Sequence, residues 1–331
     1  MAQIGAALGR QFSHELIGAV AQIPQTQLDD ALAQLVRAEL MFRRGTPPDA
    51  EYTFKHALVQ DAAYDTLLRG RRQQIHTRIA ATPEGQFPEI VETKPEVLAR
   101  HCGEAGLVEK AVNYWLKAGQ QALLRSAMLE AEARLRKGLD LVASLPVSTE
   151  RQQYELDLQL ARGTALVATQ SSAVLLGESH LRARQLCDQL GRPSQLAVLL
   201  AGQCAYHLGR AELVLACQES KELLDLGETG NDAAAKLAGC AASAGSWFHR
   251  GDFTAACAYA SRALALYDPA HPPIWASPTL YDAQIWALTY SFRPLFYLGY
   301  LDQARLRRDE GWQSHTNLLM PIRWLVCLAL L

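Results

Sequence analysis

No two of the seven cysteines stand three residues apart, their number is odd, and they are scattered from 102 to 327. That pattern offers neither a paired-thiol zinc site nor a disulfide framework. Most of these cysteines sit among alanines and leucines, where a reduced thiol behaves as a small apolar group, so a reducing cytoplasm fits best. No glycine is followed by lysine, which removes the phosphate-binding loop G-x-x-x-x-G-K-[ST]. His14-Glu15 is the sole His-Glu pair and Gly18 stands where a second zinc-binding histidine would be, while G-x-S-x-G is also missing. MAQIGAALGR has no basic region leading into a long apolar core. The most apolar run, 318–331, is too short to span a bilayer and is interrupted by Pro321 and Arg323. Charge of either sign is not in excess: the net value of −2 gives no global pull toward phosphate backbones or anionic lipid.

What is present is helical. Ser13 can cap a helix carrying Leu16, Ile17 and Val20, and after Pro24 a second helix places Leu28, Ala31, Leu32, Leu35 and Val36 on one face. LMFRR and EYTFK, separated by a turn-rich GTPPDA, read as two strands of a hairpin. A third helix follows, with Leu58, Ala62, Leu67 and Leu68 expected toward the core. Two helices and a β-ribbon form the pattern of a small N-terminal winged helix. From about residue 88 the chain turns to long alanine- and leucine-rich helices with short Gly or Pro breaks.

Three segments share one pattern: GLVEKA (Gly106 to Ala111), GDFTAA (Gly251 to Ala256) and GYLDQA (Gly299 to Ala304). In each, glycine ends one helix and alanine sits in the next, where small residues let neighbouring helices approach. The middle copy continues through Ala260 and Ala263 to Asp268-Pro269, and HLGRAELVLA (207–216) is a looser fourth copy. These offsets match the second helix of a tetratricopeptide repeat. The copies lie 145 and then 48 residues apart, against the regular 34 of that repeat, so degenerate units are expected between them. The fold class is therefore mainly α: a winged helix over 1–70, a helical connector over 71–95 and a tetratricopeptide-like α-solenoid over 96–331.

Residues 52–80 gather two histidines, two aspartates, two tyrosines and four arginines, the density of a site. An acid–base pair of His56 and Asp61 would need a cleft beside it; the local pattern instead places His56 at the start of a helix, in a structural role. Arg69, Arg71 and Arg72 raise nucleic acid, yet residues 1–70 hold six basic against eight acidic side chains, and the second helix opens with Asp29 and Asp30. A DNA reader carries the reverse balance. We therefore read His56, Asp61, Tyr64, Arg69, Arg71 and Arg72 as an interdomain joint, with the arginines paired to a neighbouring domain or solvated. Tyr114, Trp115, Trp247 and Tyr259 are groove or core aromatics, with core favoured for each.

YTFKHALVQDAAYDTLLRGRRQQIHTRIA and FPEIVETKPEVLARHCGEAGLVEKAVNYWLKAGQQAL resemble the region that follows the ATPase module in large bacterial signalling proteins. Those proteins join a class III adenylate/guanylate cyclase domain, a STAND-type ATPase and a tetratricopeptide C-terminal region, and the likeness extends to about residue 270. It implies a winged helix that relays the ATPase state and a solenoid that receives a protein partner. Both catalytic modules are missing from this chain, so no catalytic, cofactor-binding or metal-binding residue carries over. The expectation is a non-catalytic regulatory fragment, cut at both ends. Its apolar C-terminus, with Leu325, Val326, Leu328 and Leu331, offers a face for self-association. Two alternatives stand beside it: a winged-helix transcription regulator, and a regulatory subunit acting with a separate cyclase chain.

Overall fold

The computed structural model describes residues 1–86, 88–169, 173–268 and 283–316. Asp268-Pro269 is thus described only to Asp268, and Cys327 and the apolar C-terminal stretch proposed for self-association lie outside the described residues. The chain divides into two compact units, 1–118 with 137–145, and 119–136 with 146–331.

In the first unit, α1 (Ala2–Leu8) leads into β1 (Gln11–Ser13), α2 (His14–Ala21) and α3 (Gln25–Arg37). Ser13 caps α2 by accepting from the Leu16 amide at 3.1 Å. Leu28 and Leu32 of α3 are fully buried, with Leu35 and Val36 packed beside them. The strands β2 (Met41–Arg44) and β3 (Glu51–Phe54) pair antiparallel in register Met41 with Phe54. The sequence pattern misses β1, which pairs with the far side of β3 through Phe12 and Tyr52, giving the order β1-β3-β2. Alternation explains the core of this sheet: Tyr52 and Phe54 point inward and meet Phe12 at ring distances of 6.0 and 6.2 Å.

The helix after the hairpin, α4 (Ala57–Asp65), corrects one expectation. Leu58 and Leu68 are 80% and 81% exposed and Ala62 is exposed, whereas only Leu67 of the four is buried. The face is turned by one residue, so that Val59, Ala63 and Tyr64 pack on the core. A tie to α1 sets this phase: Gln60 donates its amide to the Ala6 carbonyl at 3.2 Å. The helices α5 (Arg69–Gln86), α6 (Pro88–Thr93) and α7 (Pro95–Glu104) follow, and α5 packs on α7. The proposed boundaries at 70 and 95 fall inside this first unit.

From α8 (Val108–Leu124) onward the chain is a run of helices: α9 (Met128–Val142), α10 (Thr149–Ala168), α11 (Ala173–Leu190), α12 (Pro193–Gly209), α13 (Leu213–Thr229), α14 (Ala233–His249), α15 (Phe253–Leu266), α16 (Ala283–Tyr297) and α17 (Leu301–Thr316). From α10 each helix packs on its sequence neighbour, and α12, α14 and α16 also touch in series. This arrangement is a tetratricopeptide-like solenoid. Its core is built from small side chains: Ala197, Ala201 and Cys204 of α12 meet Ala216 of α13 and Ala235, Ala238 and Ala242 of α14, all nearly inaccessible. Helix α14 comes so close to α13 that a Cβ on Gly239 would stand 2.6 Å from the Leu224 Cα.

The repeat is more regular than its glycines suggest. Left-handed residues end helices at Gly191, Ala211, Asn231 and Gly251, each twenty residues after the last, and again at Gly106 and Ser126. At every one the following amide donates to the carbonyl five residues back, as in Leu107 to Cys102, Glu212 to His207 and Tyr300 to Leu295 at 2.8–2.9 Å. Two helices thus make a unit of forty residues. Within the 145-residue interval between Gly106 and Gly251, serine, alanine and asparagine occupy the turns at 126, 211 and 231, so no glycine marks them.

Candidate functional site

A connected polar cluster of the second unit lies where α11, α12 and α13 meet. Helix periodicity aligns Gln203, His207 and Arg210 along α12, with Tyr206 beside them, and Gly177, His180, Leu181 and Arg184 along α11. Together with Ala173, Leu176 and Glu212 these residues line a groove of about 360 Å³. Nothing lies within 4 Å of where a Gly177 Cβ would stand, so the α11 wall is open there. Leu181, Val174 and Leu175 on the same helix are exposed.

His207 is the hub. Its Nδ1 lies 2.6 Å from Glu212 Oε2 and its Nε2 lies 3.3 Å from Glu219 Oε1 on α13. Hydrogen bonds from His207 and Arg210 hold the Glu212 carboxyl below its ordinary range, so it is an ionised acceptor. Nδ1 therefore donates to Glu212, and Nε2 faces Glu219. Burial, reinforced by the Glu222 carboxylate, pushes Glu219 up to about 8, and its second oxygen is enclosed without a partner. Arg184, which could have neutralised Glu219, is instead engaged in two hydrogen bonds to Glu222. His180, beside them, is buried and held neutral: its loss of solvent and the neighbouring His207 bring it down to about 4. Gly163 gives this ring space, since a Cβ there would stand 3.3 Å from His180 Nε2.

A second polar network lies in the first unit, in the stretch that looked most like a site. Tyr64 Oη and His76 Nε2 are 2.8 Å apart, and His76 Nδ1 is 2.8 Å from His101 Nδ1 of α7. Burial brings His101 down to about 3, and both rings are neutral. His101 Nε2 has no partner, and a bare lone pair costs less there than an orphaned N–H; its proton then sits on Nδ1 and donates to His76. His76 in turn donates from Nε2 to Tyr64. The Arg72 guanidinium stacks on the Tyr64 ring at 4.3 Å.

The structure thus brings Tyr64 and Arg72 into one network and leaves His56, Asp61, Arg69 and Arg71 exposed outside it. His56 precedes α4 and makes no side-chain cap; its carbonyl accepts from Val59 and Gln60. Gly106, Gly251 and Gly299 take positive φ of 76°, 87° and 87°, and Ala111, Ala256 and Ala304 are buried. Trp115 is buried beneath Lys137, and Tyr114 packs beside it; Tyr259 packs on the α14–α15 core and Trp247 carries Arg250 over its ring. His180, His207, Glu219 and Glu222 escaped the sequence reading. The signal was there as polar residues at 203, 207 and 210 on an otherwise apolar helix, yet their partners come from α11 and α13. Among the described residues no group of three His, Cys, Asp or Glu side chains is placed to hold a metal ion, and no helix is long and apolar enough to cross a membrane.

Fold and groove together define a helical-repeat protein of tetratricopeptide type. Comparison with known proteins agrees at the level of fold. The structure is similar to that of a signal transduction ATPase with numerous domains (STAND) carrying a tetratricopeptide repeat sensor, from Pyrococcus horikoshii. The TM-score is 0.50 at 11% identity, over 98% of this chain and 58% of that one. An uncharacterized protein of Rhizobium meliloti (strain 1021) is 30% identical over 170 residues, 51% of this chain. The chain spans only 16% of that relative's length. No family model matches the chain.

Proposed function

We propose that this chain is a regulatory protein-interaction segment whose helical repeats seat a partner polypeptide in the groove between α11 and α12. The observation that carries the reading is the groove itself. It presents an open apolar wall at Gly177 and Leu181 opposite a polar wall of Gln203, Tyr206 and His207, and Gln203 Oε1 is enclosed with no partner. An extended segment offers what such walls bind, amide groups for the polar side and alternate side chains for the apolar one. The likeness to a STAND protein with a repeat sensor supports placing this segment in nucleotide-switched signalling, with a cyclase–ATPase chain as the setting. In that setting the N-terminal helices and hairpin act as a winged helix, and the Tyr64–His76–His101 network holds that element and α5–α7 in register.

The test is selection of binders from a peptide library displayed against the full chain. Enriched peptides should lose binding to Leu181→Arg, a change at a side chain 61% exposed that leaves the fold intact by circular dichroism. Enrichment that Leu181→Arg does not alter would move the binding surface elsewhere and overturn this assignment.

A further inference from the structure

The first turn of α5 holds Arg69, Arg71 and Arg72 and no acidic residue. A helix N-terminus carries about half a positive charge and favours anions, so three guanidinium groups there oppose the dipole. Four arginines of the second unit are answered by acids: Arg162 pairs with Glu132, Arg182 with Glu155, Arg184 with Glu222 and Arg262 with Glu228. Among the described residues, none of Arg69, Arg71 and Arg72 forms an ion pair, and Arg72 Nε is enclosed without a hydrogen-bond partner. The histidines nearby offer no compensation, since both are held neutral.

Arg69 and Arg72 open onto a cavity of about 540 Å³ whose other walls are Leu67, Gln73, Gly103, Glu104 and Gly106. Arg72 is already fixed in orientation by its stack on Tyr64, so little side-chain freedom is left to lose on binding. Gln73 is occupied, donating to the Ala105 carbonyl at 2.9 Å. The walls thus hold two guanidinium groups against one carboxylate, Glu104, and they lie beside the carbonyl end of α7. That balance admits one negative charge and disfavours a doubly charged group.

We propose that this cavity is a receptor for a single carboxylate, held between Arg69 and Arg72. The group is supplied by an acidic side chain of a partner polypeptide or by a small carboxylic acid. The site lies in the first unit, apart from the α11–α12 groove, and stands or falls independently of the function proposed for that groove.

The experiment is an arginine Nε–H NMR titration of the full chain with acetate, with sodium chloride at matched ionic strength, with inorganic phosphate, and with an uncharged-terminus peptide carrying one glutamate. The Arg69 and Arg72 signals, assigned by their loss in Arg69→Lys and Arg72→Lys, should shift and saturate with acetate but not with chloride. Arg69→Gln, at an exposed position, should abolish saturation at Arg72, and Glu104→Gln should lower the acetate concentration needed. Tighter binding of the glutamate peptide than of acetate assigns the source to a polypeptide; equal binding assigns it to a small acid. Identical responses to acetate and chloride would remove the site, and a stronger response to phosphate would overturn the single-charge assignment.

Discussion

At the scale of single residues, Glu219 departs far from its solution behaviour. Its proton is held up to about 8 in the folded chain and released near the ordinary carboxylate value of 4.5 once unfolded. Between those values the folded state binds more protons, so stability drains away as pH rises from 4.5 to 8 and levels off above. Glutamine fills the same space and has no proton to lose. Glu219→Gln should therefore melt above the parent at pH 8.5, with the difference closing by pH 4.5. A constant offset across that range would show that Glu219 is ionised in the fold. His180 and His101 act in the opposite sense, because their folded values of about 4 and about 3 lie below the ordinary 6.5. Their contribution is lost as pH falls from 6.5. Thermal melts across pH 4 to 9 should accordingly fall away at both ends, and a parent that keeps its full melting temperature down to pH 4 would contradict the buried, neutral state of these two rings.

At the scale of elements, the repeat is set by its turns. Every helix end at Gly106, Ser126, Gly191, Ala211, Asn231, Gly251 and Gly299 uses one left-handed residue and the same five-residue carbonyl-to-amide closure. A residue with a Cβ pays about 1–2 kcal/mol for that conformation, and glycine does not. Ala211 is exposed and contributes no packing, so Ala211→Gly should stabilise the chain by about 1 kcal/mol in urea unfolding. Gly251→Ala should cost a similar amount. The sequence displayed this turn only where glycine fills it, which made a twenty-residue rhythm look irregular. The same local chemistry was legible at the Ser13 cap and in the β2–β3 hairpin. It was not legible at β1, whose partner Tyr52 lies forty residues beyond Phe12. Nor was it legible in α4, where Leu58 and Val59 are both apolar and only the tie from Gln60 to α1 decides which faces inward.

At the scale of the molecule, the second unit behaves as a stack in which each helix depends on its neighbours. Helix α14 is buried along nearly its whole length, from Leu237 to Ser246, and touches α12, α13, α15 and α16. Amide exchange should be slowest there, because opening α14 requires breaking contacts on both sides. Mass spectrometry of exchanged peptides should find protection falling away from α14 toward α17. Equal protection in α14 and α17 would contradict a stacked array.

The sequence by itself determined the helices, their breaks, the hairpin and the alanine-lined contacts, because these follow from residue type at fixed spacing along one segment. Only the tertiary structure decided which charges are answered. It matched Arg184 to Glu222, left Glu219 enclosed beside His207, and set Arg69 and Arg72 around a cavity whose one acid is Glu104. Those outcomes depend on which helices meet and at what height, and composition carries no record of that.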